Sequence, residues 1–325
     1  MRGTIPRRMR ILAALRPEPD WDTITPADLV ELRAAQAKVL RSPLGAVVRG
    51  RTDRGALIST RTLELPGRAV DVRVHRPRRA QGALPLILAF HGGGLIVGTP
   101  VQDDWLLSHL AARCGAVVVS VDYRLAPEHP VPAPVHDAYD AFAHLVDRAD
   151  QWGIDPHRVA LLGSSAGATL AALTAIHAAA QGRAVRTQVL INPQLDWTDA
   201  TFEYPSFVEN ADAPTATPAN CRAAQRIALP PSFDPATISP LYHPDLAGVA
   251  PALIVSAGLD TLEDHSPAYA ARLRAANVPV TLTRHAEATH AFLSMPGLVP
   301  AARPARAEIR THLVDRLAEQ ARVPR

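Results

Sequence analysis

A chain of 325 residues, 47% of them apolar, can bury one sizeable α/β core and carry an added cap. Its formal charge of +3 is small and spread along the chain, which argues against a nucleic-acid partner or an anionic membrane surface. Two distant cysteines, Cys114 and Cys221, read as free thiols rather than a disulfide framework.

The start, Met1 to Arg10, is basic like the first part of a signal peptide. The apolar run behind it, Ile11–Leu15, is too short for the next part and ends at Arg16. No stretch approaches the length of a membrane span, so the chain is expected to be cytoplasmic, with no stable membrane anchor. Thr25, Pro26 and Asp28 have the order of a helix N-cap, first turn and capping acid. Leu29, Leu32, Val39 and Leu40 give that helix an apolar stripe. Residues 57–65 and 69–76 alternate apolar and polar, which predicts two antiparallel edge strands.

From Leu84 the pattern changes. Apolar runs at 84–90, 116–122, 158–162, 186–191, 252–257 and 278–284 alternate with helical stretches at 103–113, 136–148, 166–180, 264–276 and 303–319. Such alternation predicts a mostly parallel sheet with helices on both faces. The rhythm breaks over 195–245, a segment rich in Pro, Asp and Thr that carries Trp197, Phe202, Tyr204 and Phe207. A long interruption of this kind is more often functional than slack. The expected organisation is therefore a core at 49–325, with residues 1–48 and the 195–245 insertion forming a small, mostly helical cap.

Gly163-Ser-Ser-Ala-Gly167 lies between a strand and an Ala-rich helix, the setting of a nucleophile elbow. The tight turn demands tiny residues two before and two after the serine, which selects Ser165; for Ser164 that position falls on Leu162. In this architecture an acid follows the serine, and a histidine follows the acid. Asp260 ends the buried run Pro251–Leu259, whereas Glu263 and Asp264 begin the next helix, where acids complement the helix dipole. His285 and His290 both follow Asp260. His290, in a loop beyond the strand, is the better base because a loop residue can swing its ring between Ser165 and Asp260.

Acyl transfer develops a negative oxygen that needs donors in place. His91-Gly-Gly-Gly94 follows the strand 84–90, and its glycines let bare amides face the site. Gly93, Gly94 and Ala166 are the expected oxyanion donors. The loop lacks the Gly-Lys-Ser/Thr ending of a phosphate cradle, and no histidine pair has metal-ligand spacing. No cofactor and no metal are expected.

The His-Gly-Gly-Gly loop and the Ser165 elbow, with the segments Asp122–Pro134, Pro205–Asn210 and Phe292–Gly297, resemble the hormone-sensitive-lipase-like branch of the α/β-hydrolase esterases. The resemblance runs from about residue 84 onward. It implies the α/β-hydrolase fold and hydrolysis of short- to medium-chain carboxylic esters through an acyl-enzyme. It also implies a scaffolding role for Asp122–Pro134, with Arg124 and Glu128 in ion pairs, and a small-molecule ester as the partner; a homodimer is left open. The chain departs from the family pattern at five places. Leu95 replaces an aromatic and should alter the pocket floor, while Ser164, Ala168, Thr261 and Ala291 stand where Asp, Gly, Pro and Gly are usual. A lactonase or amidase using the same three residues is the main alternative, and a non-catalytic small-molecule receptor the remoter one. An epoxide hydrolase or dehalogenase would need Asp at the position of Ser165.

Overall fold

The computed structural model describes residues 4–15 and 19–318. Residues 1–3, 16–18 and 319–325 lie outside them, and these include parts of the expected 1–48 segment and the last residue of the expected 303–319 helix.

Three helices come first: α1 (Arg7–Leu15), α2 (Pro26–Arg41) and α3 (Pro43–Arg49). The α2 start is a capping box, in which the Asp28 amide donates to Thr25 Oγ1 at 3.3 Å and the Thr25 amide to Asp28 Oδ2 at 2.8 Å. Its apolar stripe divides. Leu29 is fully buried, but Val39 is 45% exposed because the C-terminal half of α2 borders a cavity rather than the core.

The antiparallel strands β1 (Ala56–Leu65) and β2 (Arg68–Pro77) lead into β3 (Leu84–Phe90), α4 (Asp104–Cys114), β4 (Val117–Val121), α5 (Ala133–Asp147) and α6 (Ala149–Trp152). Then come β5 (Ile154–Ser164), α7 (Ala166–Ala180), β6 (Thr187–Ile191), α8 (Pro205–Glu209) and α9 (Pro218–Ala228). The chain closes with β7 (Ala252–Leu259), α10 (His265–Ala275), β8 (Val280–Thr289) and α11 (Ala302–Ala318). The strands form one sheet in the order β1-β2-β4-β3-β5-β6-β7-β8, parallel from β4 onward. The expected edge pair is therefore present, with β2 antiparallel to β4 as well.

Successive residues of a strand point to opposite faces. Leu86, Leu88 and Phe90 accordingly pack with Phe142 of α5, Leu170 of α7 and Tyr269 of α10. Ile87 and Ala89 pack with Leu106 of α4 and Ile309 of α11 on the other side. Every residue of β3 and β4 is buried, as strands covered on both faces must be. Helix α7 is buried nearly all round, so its Ala-rich composition lets it sit close against β5.

Three expected boundaries shift by three residues or more. Strand β5 begins four residues early, at Ile154. Helix α5 begins three residues early, at Ala133. Strand β8 runs to Thr289, five residues past the expected end, because main-chain pairing with β7 continues to Leu259–Thr289 through a register shift. Residues 284–287 of this edge strand are polar or small, so no apolar run marks the extension. Both cysteines are free thiols, and no helix among the described residues is long and apolar enough to cross a membrane.

Candidate active site

The site begins at the turn between β5 and α7. Ser165 has φ 56° and ψ −124°, a strained backbone for a residue with a side chain. Its amide is held by the Ile191 carbonyl at 3.0 Å. The glycines flanking it are sterically required. A Cβ on Gly163 would sit 2.1 Å from the Gly167 carbonyl oxygen, and one on Gly167 would sit 2.2 Å from that of Phe90.

Strands β7 and β8 end beside this turn. Asp260 follows β7 directly and is fully buried. One carboxylate oxygen, Oδ1, accepts from the Leu262 amide at 2.9 Å, while Oδ2 lies 2.7 Å from His290 Nδ1. The other ring nitrogen, Nε2, lies 2.7 Å from Ser165 Oγ. With Nδ1–H donating to the carboxylate, Nε2 presents a lone pair to the serine hydroxyl. Thr215 Oγ1 donates to the His290 carbonyl at 3.0 Å and Asn210 Nδ2 to that of Asp260 at 2.9 Å. The 195–245 segment thus clamps the backbones of both residues. His285, the rival, faces away within β8 and bonds Glu308 at 3.2 Å. Neither rival acid joins the site. Glu263 pairs with Arg284, and Asp264 accepts from the Ser206 amide at 2.8 Å, which ties α8 down; it makes no side-chain cap at α10.

The glycine loop leaves β3 on the same side of the sheet. Gly93 and Gly94 have φ of 137° and 63°, conformations open to glycine. Among the described residues, the amides of Gly93, Gly94 and Ala166 donate to no protein group. The Ala166 amide opens α7, whose dipole adds partial positive charge there. The loop rests on His91, which burial pushes down to about 4 and so keeps neutral at pH 7. Its ring stacks on Tyr123 at 4.2 Å, and Tyr123 Oη donates to the His91 carbonyl at 2.7 Å. His91 Nδ1 and Gln102 Nε2 both bond the Gly92 carbonyl, at 3.0 and 3.2 Å. These contacts leave the next amides free to face outward.

Ser165 and His290 open into a cavity of about 800 Å³. Val39, Leu40, Leu44 and Val47 line it from α2 and α3, and Ala216, Cys221 and Ala224 from the insertion.

Residues 87–294 match a family model for the alpha/beta hydrolase fold. Carboxylesterase NlhH of Mycobacterium tuberculosis is 35% identical, with 86% of this chain and 87% of that protein covered. Ethyl acetate hydrolase of Pseudomonas putida is also 35% identical, covering 82% and 86%. The chain belongs to the hormone-sensitive-lipase-like esterases of the α/β-hydrolase fold. A solved hyperthermophilic esterase from Pyrobaculum calidifontis superposes with a TM-score of 0.82 at 29% identity, covering 96% of this chain and 98% of that one.

One expectation for this hydrolase needs correction. Leu95 does not form the pocket floor. It is fully buried with φ 61°, its carbonyl accepts from the Ala126 amide at 2.9 Å, and Gly94, Ile96 and Val97 line the cavity instead. The aromatic residues of the 195–245 segment lie away from the cavity. Trp197 is buried in the main core with its Nε1 on Thr169 Oγ1 at 2.9 Å, while Phe202, Tyr204 and Phe207 pack around Cys221 and Leu262. Arg124 and Glu128 do form ion pairs, Arg124 with Asp137 at 2.9 Å and Glu128 with Arg33 at 2.9 Å. Asn210, Thr215 and Gln102 gave no sequence signal, since each acts on a main-chain carbonyl distant in sequence or carried by the glycine loop.

Proposed function

We propose that this hydrolase is a cofactor-free, cytoplasmic serine carboxylesterase that cleaves short- to medium-chain carboxylic esters, with residues 1–48 and 195–245 acting as its cap. The observation that carries the mechanism is the pair of 2.7 Å contacts linking Ser165, His290 and Asp260 in series. Ser165 Oγ attacks the ester carbonyl carbon as its proton passes to His290 Nε2. The Asp260 carboxylate, desolvated and bonded to Nδ1–H, stabilises the imidazolium that forms. The carbonyl oxygen gains negative charge and accepts from the Gly93, Gly94 and Ala166 amides. Collapse of the tetrahedral intermediate expels the alcohol, which takes the proton from Nε2 and leaves an acyl group on Ser165. Water then attacks that acyl carbon, giving its proton to the same nitrogen, and the acid leaves as Oγ is reprotonated.

An apolar cavity of about 800 Å³ suits an acyl or alcohol chain of several carbons. The relatives' names, a carboxylesterase and an ethyl acetate hydrolase, support an ester substrate. A fluorophosphonate probe should label Ser165, and Ser165→Ala should lose both labelling and turnover of p-nitrophenyl butyrate. Retained turnover in Ser165→Ala would overturn the mechanism.

A further inference from the structure

Two arginines, Arg8 in α1 and Arg49 at the end of α3, line the cavity that holds Ser165 and His290, and no Asp or Glu among the described residues does. Among the described residues neither arginine has an acidic partner. Arg49 Nη2 reaches back to the Leu40 carbonyl, and its Nε is buried with no hydrogen-bond partner. Arg8 Nη1 donates to the Gly297 carbonyl at 3.0 Å, and the Gly297 amide donates to the Val48 carbonyl at 3.0 Å. Arg8 is therefore tied within one hydrogen-bonded residue of the backbone that carries Arg49. The surfaces around the pair are apolar: Leu44, Val47, Met295 and Leu298 line the same cavity.

A guanidinium facing an apolar cavity attracts an anion more strongly than one in open water, because the low-dielectric walls weaken screening. Its planar donors match a carboxylate in two-point geometry. A neutral ester makes no use of this.

We infer that the cavity selects esters bearing a carboxylate several methylenes from the scissile bond, with Arg49, supported by Arg8, binding that carboxylate. The inference rests on the esterase reading above and adds the substrate's charge to it. Hydrolysis itself is unchanged; the distal carboxylate only anchors the chain.

The test compares matched pairs that differ in the distal group: monoethyl adipate against ethyl hexanoate, for a carboxylate on the acyl side, and 6-acetoxyhexanoate against hexyl acetate, for one on the alcohol side. The wild-type enzyme should prefer the carboxylate member of at least one pair, which also identifies the side, and added salt should erode that preference. Arg49→Leu should lower kcat/KM for the preferred carboxylate ester, through KM, by about tenfold more than for its neutral partner. Arg49→Lys should recover part of the loss. If Arg49→Leu does not fold, Arg8→Gln and the salt dependence carry the same comparison. Wild-type preference for the neutral ester in both pairs, or equal losses for charged and neutral esters in the variants, would overturn the inference. Failure of the wild type to cleave any of the four would instead overturn the esterase reading.

Discussion

Gly167 packs directly on the carbonyl of Phe90, so close that a methyl at its α-carbon would lie 2.2 Å from that oxygen. Phe90 is the last residue of β3, and the glycine loop starts at the next one. One backbone contact therefore sets the spacing between the candidate nucleophile's helix and the loop of candidate oxyanion donors. Gly167→Ala must push the two apart, at a cost of about 1–3 kcal/mol from overpacking. Thermal unfolding should show that loss, and kcat on p-nitrophenyl butyrate should fall far more than stability does.

Asp260 fixes the His290 tautomer by accepting from Nδ1. An amide at that position can offer N–H instead and so favour the wrong tautomer. Asp260→Asn should keep the fold and lower kcat by about 10⁴-fold, as expected when the base no longer presents a lone pair to serine. Steady-state kinetics beside an unchanged circular dichroism spectrum would check both halves.

His265 of α10 ties down the 195–245 segment. Its Nδ1 accepts from the Leu195 amide at 3.2 Å and its Nε2 bonds Thr201 Oγ1 at 2.9 Å. Burial pushes the ring down to about 4 from 6.5, against the opposing pull of Asp196, Asp260 and Asp264. Between those two values the unfolded chain binds a proton that the folded chain refuses. Stability from this group is thus complete above pH about 6.5 and declines as pH falls toward 4, by up to about 1.4 kcal/mol per pH unit. Urea unfolding at pH 7 and pH 5 should show His265→Gln to be less stable at pH 7 but flatter in its decline.

Asp137 in α5 is fully buried between two arginines. Burial works to raise its pKa, but the Arg124 side chain and amide, together with Arg68, outweigh this and hold it below the usual carboxylate range. Asp137→Ala would leave both guanidiniums without that shared partner. A loss of about 3–5 kcal/mol is expected, read as a lowered urea midpoint. Asp137→Asn should fall between the two.

The parallel sheet was legible in sequence because its central strands are buried on both faces and so read as unbroken apolar runs, as in Leu84–Phe90. The elbow turn at Ser165 was legible through the space its neighbours Gly163 and Gly167 leave. Chain order then pointed to Asp260 and His290, which lie in series with Ser165. The end of β8 was not legible, since main-chain pairing rather than side-chain hydrophobicity sustains an edge strand. Leu95 misled because its left-handed backbone turns the side chain into the core.

Local chemistry, then, determined which residues could make an elbow, a capping box or a glycine loop, because each depends on side-chain size and backbone freedom within a few positions. Distances between residues far apart in the chain were decided only on folding. The meeting of His290 with Ser165, the Asn210 and Thr215 clamps, and the approach of Arg8 to the wall carrying Arg49 all arise where separate elements pack. Composition and periodicity cannot encode such convergence, since it depends on the relative placement of strands and helices that share no sequence neighbourhood.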